Sequence, residues 1–291
     1  MSLDELASTP APTFRRETVD ARLRATIADG RPVVAAGSSC GLVAKSAEAG
    51  GADLIVVYST GISRLRGLPT TIFGMPNEAT LGMADEILNV VRDTPVICGI
   101  EACDPHYVRL PRLLDRVEAA GYSGIINFPT ITMAEPESRN RQMREGVGFG
   151  FQRELDAVSI ARERGLFTMS YVFLPEEAAA MADAGVDCVV THVGGTSGGM
   201  DGFTEVSPLD VAVAGVNGML EAARARRDDV LVLAHGGPFD IPENVETLYR
   251  ETGAQGFVGA SSVERIPIEQ AVSSVISSFK AQRLELAGKS G

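Results

Sequence analysis

Short apolar runs rich in β-branched residues recur along the chain: PVVAAG (32–37), DLIVVY (53–58), PVICGI (95–100), GIINF (124–128), FTMSYVF (167–173), DCVVTH (187–192), VLVLAH (230–235) and GFVGAS (256–261). Each is approached by a stretch whose apolar positions repeat at helical spacing. A strand with one wet face alternates apolar and polar residues; these runs do not alternate, so both faces are expected to be buried. Strands buried on both sides and separated by helices make a parallel sheet covered by helices, and eight such units suffice to close it. The pattern predicts an α/β chain folded as a single (β/α)8 TIM barrel. One domain is expected over 1–291, with the barrel at about 32–280 and an extra helix at about 14–30 closing its bottom.

The approach to a strand keeps one grammar in EAGGADLIVV, EAAGYSGIIN, ADAGVDCVVT and ETGAQGFVGA. A glycine ends the helix each time, so Gly50 or Gly51, Gly121, Gly185 and Gly253 are expected at left-handed helix stops. Pro175, Pro208, Pro242 and Pro267 mark helix starts, where a missing N–H costs nothing, and Ser207 is an expected N-cap. Two connections, 59–82 after strand 2 and 129–151 after strand 4, are too long for plain links, since loops beyond ~12 to 15 residues tend to be functional. Both leave the C-terminal strand ends, where barrel enzymes keep their sites. The second carries Arg139, Arg141 and Arg144 and is expected to serve as a lid or an oligomer arm. GVGFGF within it does not join a strand to a helix in a dinucleotide-binding unit, so it is not read as a nucleotide loop.

Composition narrows the partners. A net charge of −12 and a pI near 4.8 repel nucleic acid and anionic membrane surfaces over long range, leaving small anionic metabolites as expected ligands. The start MSLDELASTPAPTF has no apolar leader core, and no stretch reaches the ~18 apolar residues of a membrane span, so a cytoplasmic location is expected. Cys40, Cys98, Cys103 and Cys188 form no CxxC pair and are read as reduced thiols, Cys98 and Cys188 in the core.

All three histidines fall at C-terminal strand ends: His106 after strand 3, His192 on strand 6 and His235 on strand 7. With an ordinary pKa of ~6.5, imidazoles at the mouth of a barrel are acid/base candidates, His192 and His235 first. Strand 3 ends in GIEACDPH, so Glu101 and Asp104 leave a buried strand and need a cation, an arginine or several N–H donors. Magnesium, which takes one or two carboxylates and otherwise water and substrate oxygens, is one reading; a salt bridge to a loop arginine is the other. Asn127, ending strand 4, is a candidate support for substrate. The turns GSSCG (37–41), HGGP (235–238) and GASS (259–262) offer Gly37, Ser38, Gly236, Gly237, Ser261 and Ser262 as a backbone-rich rim able to hold an anion. Lysines occur only at Lys45, Lys280 and Lys289, away from any strand end, which argues against Schiff-base chemistry.

The stretches GSSCGLVAKSAEAGGADLIVVYSTG, GLPTTIFGMPNEATLGMADEIL and PVICGIEACDP resemble the phosphoenolpyruvate mutase and isocitrate lyase superfamily. Nearly the whole chain resembles the phosphoenolpyruvate-hydrolase-like TIM-barrel family, whose members are commonly labelled phosphonopyruvate hydrolases. The resemblance implies Mg²⁺, a 2-oxo acid and cleavage of a P–C or C–C bond beside an enolate. It implies that Tyr58, Ser59 and Gly61 form the turn holding the substrate carboxylate, and that Gly37 and Ser38 form the strand 1 rim. Two positions depart from the superfamily pattern: Glu101-Ala-Cys-Asp104 stands for Asp-x-Asp, and Asn127 for a glutamate. The expected function is a hydrolase or lyase for a small 2-oxo acid such as phosphonopyruvate, with Glu101 and Asp104 on the metal and His192, His235 and Glu101 catalytic. A metal-free sugar-phosphate isomerase or lyase, and a non-catalytic barrel binding a metabolite or partner protein, stay open as alternatives. A homo-oligomer is expected, from the resemblance and from the apolar helix PIEQAVSSVISSF.

Overall fold

A computed structural model of the protein describes residues 12–72 and 74–284. Eight parallel strands close into a barrel in chain order: β1 (Val33–Gly37), β2 (Leu54–Val57), β3 (Val96–Ile100), β4 (Gly124–Asn127), β5 (Phe167–Val172), β6 (Cys188–His192), β7 (Leu231–His235) and β8 (Gly256–Gly259). Every predicted run contains its strand, trimmed by up to two residues at an end. α1 (Arg16–Ala28) lies in the predicted N-terminal helix, and its Val19 and Leu23 pack in one cluster with Val33, Leu54, Phe167 and Leu231. The expected plug is therefore present.

Period-two alternation sorts the strand residues into an interior and a wall. Ala35, Val56, Ile97, Ile126, Met169, Val190, Leu233 and Val258 fill the inside, with Tyr58, Phe128, Tyr171 and Ala260 in the same cluster nearer the C-terminal ends. The alternate residues, including Ile55, Val57, Cys98 and Ile125, pack outward against the helices. Cys98 and Cys188 are buried as expected.

The helices differ from expectation in detail. α2 (Gly41–Ala49) precedes β2, and the long connection after it is about half helical, with α3 (Gly61–Leu65) and α4 (Pro76–Gly82) before α5 (Ala84–Leu88). After β3 comes α6 (Leu110–Ala119), and the connection after β4 contains α7 (Arg139–Gly146), capped by Ser138, before α8 (Phe151–Glu163). Then come α9 (Pro175–Asp183), α10 (Leu209–Arg226), α11 (Pro242–Glu251) and α12 (Arg265–Lys280). Pro175 and Pro242 open their helices as predicted, but Pro208 itself caps α10 and Pro267 lies within the first turn of α12. Gly51, Gly121 and Gly185 take positive φ. Gly253 does not, because α11 ends in extended backbone at Thr252. α12 leaves the barrel: Val272, Val275, Ile276 and Phe279 are between 51% and 70% exposed, an apolar stripe left uncovered by the described residues. Among the described residues no helix is long and apolar enough to cross a membrane.

Candidate active site

β6 and β7 carry their histidines to the same level, His192 being the register partner of His235. The rings meet edge to face with centroids 4.7 Å apart. Both touch Tyr171, at 5.3 and 5.0 Å, and Phe173 stacks on His192 at 4.3 Å. Across the mouth, the Tyr58 and Tyr171 hydroxyls are 2.6 Å apart. These groups, with Thr60, Arg64, Thr70, Phe128, Phe203 and Ser261, line a cavity of about 170 Å³ at the C-terminal end of the barrel.

The hydrogen bonds fix the polarity of the two imidazoles. The Gly194 amide donates to Nδ1 of His192 at 3.1 Å, so a neutral His192 carries its proton on Nε2. Nδ1 of His235 lies 2.6 Å from the Val258 carbonyl, which can only accept, so a neutral His235 keeps a free lone pair on Nε2. One imidazole is thus a donor, the other an acceptor. Both are neutral near pH 7: burial lowers His235 to about 4, and burial, followed by repulsion from His235, holds His192 well below the usual histidine range. His192 keeps some accessible surface at the rim, but the protein packed round its ring, not that edge, sets the direction. Burial also raises both tyrosines above the usual phenol range.

Arg64 is the buried cation of the site. Its Nε and Nη2 lie 2.8 Å from Oε2 of fully buried Glu264, and the Ser39 amide donates to Oε1 at 2.7 Å. The Nη2 contact is close but poorly aligned as a hydrogen bond, which leaves Arg64 N–H capacity for another acceptor. Gly61 is required here for space, since a Cβ would fall 1.3 Å from the Ser39 hydroxyl oxygen.

Several predicted site residues have other employment. Glu101 pairs with Arg144 at 2.9 Å, as the loop-arginine reading expects. Asp104 accepts from Asn77 Nδ2 and the His106 amide, each at 2.9 Å, with the His106 ring 2.9 Å away. Neither carboxylate lines the mouth cavity, and among the described residues no three His, Cys, Asp or Glu side chains are grouped to hold an ion. With no carboxylate among its described lining residues, the mouth does not fit magnesium. His106 is largely exposed and lines a different surface pocket, with Glu78 and Arg109.

Asn127 continues the outward parity of Ile125. Its Oδ1 accepts from the Tyr171 amide at 2.6 Å, and its Nδ2 donates to the Tyr171 carbonyl at 3.1 Å and to Glu154 at 2.6 Å. In the structure it braces Tyr171 against Glu154. Glu154 itself also accepts from Thr130 and the Ile131 amide, both at 2.8 Å; burial lifts its pKa to about 7. Ser38 and Ser59 share outward parity, and their buried hydroxyls have no partner. Gly236 and Gly237 take positive φ and fold against Gly194, whose carbonyl accepts from the Gly237 amide at 2.9 Å. That donor is therefore spent within the turn. Ser261 lines the mouth; the Ser262 hydroxyl is buried without a partner. Gly37 faces the Tyr58 ring, where a Cβ would lie 3.1 Å from Cε2.

Comparison with known proteins agrees with the barrel. The family model for phosphoenolpyruvate hydrolase-like proteins matches residues 18–282. The ToMV resistance protein Tm-1(GCR237) of Solanum lycopersicum is 37% identical over 281 residues, which is 95% of this chain and 37% of that protein. The susceptible protein tm-1(GCR26) of the same plant matches equally, so the chain spans little more than a third of these curated relatives. Among solved structures, phosphonopyruvate hydrolase complexed with oxalate and Mg²⁺ superposes with a TM-score of 0.58 at 21% identity, covering 90% of this chain and 87% of that one. Oxaloacetate acetylhydrolase with its product oxalate gives 0.59 at 15%, covering 92% and 89%. Identities this low establish the shared fold.

Proposed function

Because the chain belongs to the phosphoenolpyruvate hydrolase-like family, we propose that it is a hydrolase or lyase that breaks the bond one carbon beyond the oxo group of a small 2-oxo acid, phosphonopyruvate being the reference candidate. The observation carrying this reading is the pair of imidazoles held with opposite polarity at the barrel mouth, beside a hydrogen-bonded tyrosine pair and a buried arginine.

In this reading the substrate carboxylate meets Arg64 and the Thr60 hydroxyl. The oxo oxygen accepts from Nε2–H of His192, a donor fixed in advance where enolate charge develops. Nε2 of His235 takes a proton from water. The resulting hydroxide bonds to the departing phosphoryl or acyl group, and the electrons of the broken bond pass to the substrate carbon as an enolate. His235 then returns the proton to that carbon, so atoms and charge balance and the histidine is regenerated. Tyr58 and Tyr171 act as neutral hydroxyls, their raised pKa values keeping phenolates out of reach near neutral pH.

The test is release of the 2-oxo acid product from phosphonopyruvate and from oxaloacetate, with His235→Asn as control. Asparagine keeps a donor for the Val258 carbonyl and removes the base, so turnover should fall by about 10² to 10⁴ with KM little changed. Unchanged turnover in the variant refutes the role of His235. Ligand binding without turnover in the native protein refutes the enzyme and leaves a metabolite-binding barrel.

A further inference from the structure

The charge and shape of the mouth restrict the substrate further, a step that rests on the oxo-acid reading. We propose that, among cleavable 2-oxo acids, the site selects those bearing a single negative charge whose departing acyl group carries an apolar branched or aromatic substituent, in preference to phosphonopyruvate, with the carboxylate at Arg64 and the substituent reaching past Phe173 into an adjoining chamber.

The first argument is a charge count. Among the described residues lining the mouth, Arg64 alone carries a fixed charge, and Glu264 stands 2.8 Å from it, so the pair is neutral overall. The amide donated to Nδ1 of His192 leaves that ring neutral, and His235, which donates to the Val258 carbonyl, meets no carboxylate in the mouth lining that would hold it protonated. One arriving carboxylate finds the remaining Arg64 N–H groups. A second or third charge, as on a phosphonate, finds no second cation among the described lining residues, only the neutral hydroxyls of Thr70, Thr196 and Ser261 beside the rings of Phe128, Phe173 and Phe203, and loses hydration that those groups replace only in part.

The second argument is space. A chamber of about 300 Å³ adjoins the mouth and shares Met133, Phe173, His192 and Gly194 with it. Its own walls include Leu174, Val211 and Met219, and α10 presents Gly215 there. A Cβ on Gly215 would meet nothing closer than Val193 at 3.6 Å, so the glycine leaves width that a larger side chain would fill. The one charged residue among the described walls is Glu135, exposed and negative, which further disfavours a second anionic group.

The test is calorimetric binding at matched ionic strength, with and without Mg²⁺, of pyruvate, 4-methyl-2-oxopentanoate, phenylpyruvate, 3-phenylpropanoate and phosphonopyruvate. Phenylpyruvate is expected to bind about tenfold or more tightly than pyruvate, and more tightly than phosphonopyruvate. Gly215→Leu should weaken phenylpyruvate by about tenfold and leave pyruvate unchanged. Tighter binding of phosphonopyruvate overturns the proposal, as does equal weakening of both ligands by the variant. If the variant does not fold, the native ligand ranking still decides. Binding of 3-phenylpropanoate as tight as that of phenylpyruvate would sink the oxo-acid reading while keeping the selection for an apolar monoanion; no binding by any of the acids sinks both.

Discussion

Glu154 offers a direct measurement of how strongly the barrel wall restrains a charge. It is 1% exposed, and its oxygens accept from Asn127, Thr130 and the Ile131 amide, yet burial outweighs those bonds and lifts its pKa from 4.5 to about 7. A carboxyl whose pKa is raised on folding binds its proton more tightly in the native state. Its contribution is therefore complete below the unfolded pKa near 4.5 and is lost as pH rises through about 7. At ~1.4 kcal/mol per pKa unit, the loss between pH 5 and pH 8 is about 2–3 kcal/mol. His235 runs the opposite way: its pKa falls from 6.5 to about 4, so its contribution is complete above 6.5 and is lost as pH falls toward 4. The two trends mask each other in the native protein, and a mutant difference separates them. Urea unfolding of the native protein and of Glu154→Gln at pH 5 and pH 8 should show the variant gaining about 2–3 kcal/mol relative to the native protein across that range. A difference constant to within ~0.5 kcal/mol would refute the reasoning, because it would mean that Glu154 ionises as an ordinary carboxylate.

The acid limb of kcat/KM is expected near pH 4, where His235 gains a proton, and not near 6.5; a pH–rate profile with its half-point above 6 would exclude His235 as the base. Gly61→Ala places a methyl on Ser39 and should cost about 1–3 kcal/mol in urea unfolding, most of it recovered in the double variant with Ser39→Gly; no recovery would mean that the contact is not the cause. The stripe on α12 is expected to be covered by another copy of the chain, since each Val, Ile or Phe fully buried there contributes ~1.5–3 kcal/mol. Light scattering after size exclusion should show an oligomer that Val272→Glu with Ile276→Glu converts to monomer, and a monomeric native protein would defeat the expectation.

What could be read from the sequence depended on how local each signal was. Burial on both faces is written into every strand, so the barrel and the shared level of His192 and His235 were legible, whereas Tyr58 came only from the family resemblance. Tyr171 and Phe173 carried the same signal unread: counting in twos from Phe167 puts both on the interior face, level with the histidines. The same count puts Asn127 with Ile125 on the outer face, where its amide spans Tyr171 and Glu154. Arg64 was not legible. It sits two residues from exposed Arg66 in a short helix, one of 26 basic residues, and what marks it out is a carboxylate 200 residues away. Glu101 shows the converse, because the need for a positive partner at the end of β3 was plain and the identity of that partner was not. Mg²⁺ and Arg144 answer the same local electrostatic demand, and only the fold of the connection after β4 brings Arg144 within 2.9 Å. Where a residue's role is set by its own strand, periodicity finds it; where it is set by a partner across the barrel, the sequence states the demand and the fold supplies the answer.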